Sequence, residues 1–470
     1  MQKKARAVII ITFGPMNIAR AIRQKLKAQY DLIAQSRVRK NVLNAIPFWA
    51  GAFATGFVAV LYAKLFAWSE QGTVFIYQKA SWLFFIISPL CFFIAWRLVA
   101  RYAPFARGSG IPQVTAALEL STPKHNSLVN RLLGVRIIIV KVASSLVMAF
   151  GGGLVGREGP TIQIASSIFK KINDMLPTWY PKISRRNMIV TGAAAGLAAA
   201  FNTPLGGIVF AIEELTKTHF NYFKSALLTG VIISGLTALH VLGPYLYLGY
   251  PVLSNIPLSV ILVVIPVALL SGIAGSGMGR VIQFLMRIKN NFRSTYWKIA
   301  FPVMCGIIIA CIGYFVDRRA LGSGKEIMVS TLFSEDKYLP WNIPLLRIFG
   351  TIFSFATGAA GGIFAPSLSA GASIGSVLSG FFHLSGSETN LMILCGMTGC
   401  LTGITRSPFT SSIVVIEMTD SHHIIFFVML TALVASLISI TVSKHSFYHY
   451  MKDHYMRQIL KEESETTAKS

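Results

Sequence analysis

Gly151-Gly-Gly-Leu-Val-Gly-Arg-Glu-Gly-Pro-Thr-Ile-Gln-Ile164 sets a charged pair, Arg157 and Glu158, inside one of the most apolar parts of the chain. Ionisable residues in such surroundings are rare and default to function. The glycines let the backbone approach another group closely, and Pro160 suits the first turn of a helix, where its missing N–H costs nothing. The stretch therefore predicts a helix that starts within a membrane. The first N–H groups of such a helix have no internal partner, and with the helix dipole they make an anion site. Glu158 sits where an anion would sit. Its carboxylate can fill the site itself, or take a proton and leave it open, which makes it a candidate gate that also carries protons. The plainer alternative is an Arg157–Glu158 ion pair at a helix end near the bilayer surface.

Composition sets the wider frame. The 470 residues are 53 % hydrophobic and only 13 % charged, with a mean hydropathy of +0.60, a profile of a polytopic membrane protein rather than a soluble one. Seven runs approach the ~20 residues needed to cross a bilayer: 41–68, 81–100, 132–150, 227–250, 256–276, 299–316 and 424–442. Three others, 191–215, 349–378 and 391–418, are broken by Gly or Pro. Irregular backbone at membrane depth is tolerated where protein or water satisfies it, so the broken runs are where a binding site is expected.

The net charge of +25 does not point to nucleic acid, because the basic residues lie mainly in connecting and terminal segments. Residues 1–40 carry ten Lys and Arg against one acid, Asp31, which places this segment, with an amphipathic helix expected near 17–33, in the cytoplasm. The C-terminus, with Lys444, Lys452, Arg457 and Lys461, is expected beside it. The opening basic and apolar residues lack a small-residue cleavage pattern and read as a retained segment rather than a signal peptide. Cys91, Cys305, Cys311, Cys395 and Cys400 lie in apolar runs without metal-ligand spacing and read as buried free thiols.

An internal repeat organises the rest. Gly192 to Glu213 aligns without gaps to Gly396 to Glu417, so that Pro204 meets Pro408 and Glu213 meets Glu417 at one offset, 408 − 204 = 204. Gly156-Arg-Glu-Gly-Pro-Thr meets Gly362-Ile-Phe-Ala-Pro-Ser, and Gly108-Ser-Gly meets Gly322-Ser-Gly, in the same order. The chain reads as one domain of two homologous halves, 41–260 and 261–460, followed by a short polar tail, 461–470. The repeat also isolates an asymmetry. Where the first half has Glu158 the second has Phe364, so two matched helix starts converge on one anion while one of them carries an ionisable gate. Ser109, between two glycines and three residues before Pro112, offers a hydroxyl and backbone N–H groups to an anion or serves as a plain N-cap. Gly322-Ser-Gly-Lys-Glu departs from a phosphate-binding loop at both ends. No nucleophile elbow is present, which argues against a hydrolase.

Gly108-Ser-Gly-Ile-Pro, Gly156-Arg-Glu-Gly-Pro and Gly362-Ile-Phe-Ala-Pro, in this order and at these separations, resemble the three signatures of the CLC family of chloride channels and proton/chloride antiporters. The resemblance runs from about Ala45 to Arg457 and leaves no room for a regulatory CBS pair, as in the compact bacterial type. It implies an all-α fold of two inverted halves built from tilted and broken helices, a homodimer with one pathway per subunit, and a bacterial cytoplasmic membrane with both termini in the cytoplasm. It also implies an anion site made by Ser109 and Gly110, by the backbone of Ile363 and Phe364, and by Tyr448, with Tyr450 as the less fitting tyrosine. Glu158 matches the family's gate, and Lys141 matches a lysine in the preceding helix. Glu214, next to Glu213, matches the internal proton-transfer glutamate that channels lack. The implied function is exchange of chloride for protons, with no cofactor. A passive chloride channel, and from another class a sodium-coupled solute transporter, are the alternatives. The fluoride-exporting branch departs from Gly-Arg-Glu-Gly-Pro.

Overall fold

The computed structural model describes residues 37–122, 125–216, 224–243 and 246–467, together with residue 24. The amphipathic helix expected near 17–33 therefore lies outside the described residues, apart from residue 24. The first half runs through α1 (Arg37–Lys79), α2 (Phe84–Tyr102), α3 (Ile111–Glu119), α4 (Asn126–Leu132), α5 (Val135–Phe150), α6 (Glu158–Met175), α7 (Arg185–Phe201), α8 (Pro204–Phe210) and α9 (Lys224–Leu242). The second runs through α10 (Ile261–Asn290), α11 (Thr295–Cys311), α12 (Lys325–Phe333), α13 (Asn342–Ala356), α14 (Phe364–Phe381), α15 (Gly386–Thr405), α16 (Pro408–Thr419) and α17 (Ile425–Val442), and α18 (Phe447–Thr467) closes the chain.

Seven segments among the described residues are long and apolar enough to cross a membrane, and they fall on the seven apolar runs. Their ends differ for local reasons. Glu70 and Thr73 end the hydropathy signal of the first run, yet α1 continues to Lys79, where the Thr73 hydroxyl reaches the carbonyls of Ala149 (3.0 Å) and Phe150 (2.8 Å). Gly134 separates α4 from α5 inside the third apolar segment. The residues from Lys461, expected as a tail, instead prolong α18 to Thr467. Glu462 explains this, because it accepts from Gln458 one turn earlier at 2.9 Å and pairs with Arg131.

The halves match in geometry as well as in sequence. Gly110 (φ 108°) and Gly324 (φ 91°) open α3 and α12, each nine residues long. Arg157 (φ −97°, ψ −15°) and Ile363 (φ −99°, ψ −8°) open α6 and α14, each of 18 residues. Asn202 and Arg406, again 204 apart (406 − 202), end α7 and α15 in the left-handed region at φ 58° and 60°.

Across the pseudo-twofold relation the halves exchange carboxylates. Glu213 accepts from the N–H groups of Phe409 (3.1 Å) and Thr410 (2.7 Å) at the start of α16. Glu417 accepts from those of Leu205 (3.0 Å) and Gly206 (2.6 Å) at the start of α8. Each acid thus satisfies donors that a helix start leaves without internal partners.

The loops before the helix starts are joined backbone to backbone. Gly156 and Gly362 exchange N–H···O bonds in both directions (2.8 and 2.6 Å), Gly108 N–H donates to the Ala359 carbonyl (2.8 Å), and Gly361 N–H donates to that of Gly108 (3.2 Å). Two buried cations brace the same loops from behind. Lys141 donates to the Gly108 carbonyl at 3.0 Å, and Arg347 donates to those of Ala320, Leu321 and Gly322, each at 3.0 Å. They are repeat mates, since 347 − 141 equals 362 − 156, or 206.

Candidate functional site

The backbone bridges bring three helix starts to one place, those of α3, α6 and α14. The Ser109 hydroxyl abuts Gly159 in the first turn of α6, where any Cβ would collide with it. The Glu158 side chain folds back toward Gly156, just before the start of its own helix. Its Oε2 fills the space beside Gly156, which a Cβ would need, and the Ala365 Cβ of α14 lies 3.0 Å from that same position. Both glycines are thus dictated by close approach. From α18, Tyr448 stacks its ring on that of Phe364, with centroids 6.3 Å apart and planes at 14°. Its hydroxyl approaches that of Ser109.

Among the described residues, three buried polar atoms here have no hydrogen-bond partner of good geometry: Ser109 Oγ, Glu158 Oε2 and Tyr448 Oη. Buried polar groups are ordinarily satisfied, and leaving one unpaired costs about 1–3 kcal/mol. The alternative of a plain N-cap at Ser109 is not what the chain adopts. Gly110 is the cap of α3 and no side chain caps it, which leaves the serine hydroxyl facing the junction.

The structure sorts the remaining sequence candidates. Ser109, Gly110, Glu158, Ile363, Phe364 and Tyr448 meet at the junction, whereas Tyr450 lies under the Arg287 guanidinium, 5.8 Å from the ring centroid. Arg157 reaches Glu158 only weakly, with Nε 4.0 Å from Oε1, and Glu158 is 1 % exposed, so a surface ion pair does not describe it. Lys141 acts on the loop that carries Ser109 and not on Glu158. Glu214 stands apart, on a π turn over Ala211–Leu215 that follows α8, where its carboxylate accepts from Ser407 Oγ at 2.9 Å. The adjacent Glu213 and Glu214 therefore diverge, one to a helix start and one to a hydroxyl.

Tyr247 is a partner that sequence reasoning missed. Its hydroxyl donates to Glu158 Oε1 at 3.0 Å, and Lys325 Nζ sits 4.5 Å from its ring centroid. Gln163, one turn after Pro160, packs against Gly110 and donates to the Leu132 carbonyl at 2.9 Å. A cavity of about 260 Å³ reaches Tyr448 and Glu214 and is rimmed by Arg406, Lys444 and Lys452. A larger one, about 690 Å³, holds Glu70, Ser323 and Lys325, and Lys325 and Tyr247 link it to Glu158. Chemically, the junction offers hydroxyls and free helix-start donors to an anion, one carboxylate that competes for them, and a separate carboxylate on the way to one cavity.

The sequence matches the family described as voltage gated chloride channel over residues 90–440. The H(+)/Cl(-) exchange transporter ClcA of Citrobacter koseri is 29 % identical over 468 residues, covering 94 % of each chain. Among solved structures, a slow cyanobacterial Cl-/H+ antiporter superposes with a TM-score of 0.76 at 23 % identity, covering 88 % of this chain and 98 % of that one. A CLC-type fluoride/proton antiporter gives 0.72 at 18 % identity over 88 % and 98 %, and a eukaryotic CLC transporter gives 0.70 at 18 % over 88 % and 75 %. These structures share the fold.

Proposed function

The chain belongs to the voltage gated chloride channel (CLC) family, and from that premise we propose that it is a secondary active transporter exchanging chloride for protons. Chloride binds among the starts of α3, α6 and α14, held by backbone N–H groups of Gly110, Ile363 and Phe364 and by the hydroxyls of Ser109 and Tyr448. Deprotonated Glu158 sits at the same helix starts and excludes the anion by its charge. Protonation removes its charge, and the carboxyl gives way. Glu214 passes the proton between Glu158 and the cavity that it borders, so one carboxylate serves both ions and the other serves protons alone.

The observation that carries this reading is the coincidence of three unsatisfied buried atoms, Ser109 Oγ, Glu158 Oε2 and Tyr448 Oη, at the bridged helix starts. An anion accepting from both hydroxyls answers two of them, and a proton on Glu158 Oε2 turns the third into a donor toward that anion. The exchange named for the Citrobacter koseri relative supports the same reading. The protein spans the membrane, and we place it in a bacterial cytoplasmic membrane with both termini inside, as a homodimer. Residues 41–260 and 261–460 are its two inverted halves.

Proton movement into proteoliposomes under an imposed chloride gradient tests the proposal. The wild type should pump protons uphill, and Glu158→Gln should abolish proton movement while chloride still flows. Glu214→Gln should do the same while keeping the anion pathway intact. Chloride flux without proton movement in the wild type would make the protein a passive channel.

A further inference from the structure

Away from the ion pathway, a cavity of about 290 Å³ opens between the ends of α2 and α10 and the start of α11. Three cations line it, Arg107, Lys289 and Lys298, and no carboxylate does. Among the described residues none of the three takes part in an ion pair. Arg107 and Lys289 face the same space, an arrangement that an anion placed between them favours.

Their protein contacts use only part of their donor capacity. Lys289 donates to the Thr357 carbonyl and lies 5.9 Å from the Trp96 ring centroid. Arg107 Nη2 donates to Gln458 at 2.5 Å and the guanidinium rests 4.8 Å from the Tyr455 ring centroid, but its buried Nε has no acceptor among the described residues. Lys298 is exposed at the rim. The remaining wall is mostly apolar, with Trp96, Val99 and Met286.

We propose that this cavity binds the phosphate of an anionic phospholipid headgroup. A planar guanidinium and two ammonium groups around one space suit an anion with several oxygens, and basic pockets between spanning helices take such headgroups. The apolar wall and a tryptophan at the level of the headgroups accommodate the glycerol end of the molecule. The site also touches the transport machinery. Arg107 precedes Gly108 and Ser109 in the chain, and Lys289 holds the Thr357 carbonyl in the loop that leads to Ile363. A bound headgroup, by neutralising both cations, steadies both loops.

Native mass spectrometry of the full-length protein in detergent, titrated in turn with phosphatidylglycerol, phosphatidylcholine and inorganic phosphate, tests the site. The wild type should retain phosphatidylglycerol in preference to phosphatidylcholine. Lys298→Gln, at an exposed position where folding is not at stake, should weaken that retention roughly fivefold, and Lys289→Gln with Lys298→Gln by on the order of 25-fold. Retention of inorganic phosphate at millimolar concentration without preference for phosphatidylglycerol would assign a soluble ion and overturn the lipid. Equal phosphatidylglycerol retention by wild type and both variants would overturn the site.

Discussion

Glu158 is held in place by contacts of unequal strength, and Tyr247 is the firmest of its side-chain partners, at 3.0 Å against 4.0 Å for Arg157. A hydrogen bond to a charged group contributes about 1.5–3 kcal/mol. Tyr247→Phe removes it, so the carboxylate leaves its inward position more readily. Chloride efflux from proteoliposomes at neutral pH should then rise by up to roughly tenfold while proton coupling persists. Unchanged efflux would show that Tyr247 does not restrain the gate. The sequence disclosed Glu158 because a charge in an apolar run needs explaining, and Tyr448 because a family pattern pointed to it. It concealed Tyr247, which lies in the irregular stretch after α9, where neither periodicity nor motif singles out one of several tyrosines. Glu213 was half legible: the repeat paired it with Glu417, but the direction in which the neighbouring Glu214 points depends on the π turn.

At the scale of elements, α18 has an influence out of proportion to its polarity, because it delivers Tyr448 to the junction from outside the seven spans. Its docking is pH-sensitive. Burial, reinforced by Arg107 and Arg457, pushes His454 down to about 4, so the docked helix keeps this imidazole neutral. The unfolded or undocked segment takes up a proton from about pH 6.5. Stability of the docked form therefore falls as the pH drops from about 6.5 and levels off below about 4. Hydrogen-exchange protection factors across residues 447–467, corrected for the intrinsic exchange rate at each pH, should fall over that window in the wild type and much less in His454→Gln. Helix identities were largely readable from apolar runs and Pro or Gly breaks. The end of α18 was not, because composition cannot reveal that Arg131 waits for Glu462.

The whole molecule is two interlocked halves, and its outer surface near their junction is apolar. Leu205 and Ile212 from the first half and Phe409 from the second are 51 %, 43 % and 53 % exposed, beside the helix starts that Glu213 and Glu417 satisfy. A homodimer with twofold symmetry can bury such a patch against its own copy. Phe409→Cys, oxidised in the membrane, should give a cross-linked dimer that the wild type does not. A monomer under the same treatment would place the partner surface elsewhere. The repeat made the two homologous halves legible from sequence, since offsets of 204 and 206 recur through Pro204, Glu213 and Gly156, whereas their inversion was implied only by the family resemblance. The same offset joins Lys141 to Arg347, a pairing hidden by the change of residue type.

The exchange of carboxylates between halves also bears on how the protein is made. Helix α8 begins at Pro204, yet the acid that satisfies its first N–H groups is Glu417, more than two hundred residues later on the messenger. While the ribosome is still translating the second half, the first already sits in the bilayer with those donors waiting for water or lipid. Maturation is complete only when the late-arriving half returns the contact. A chain truncated before Glu417 thus leaves the Leu205 and Gly206 N–H groups without the acceptor they have in the complete fold.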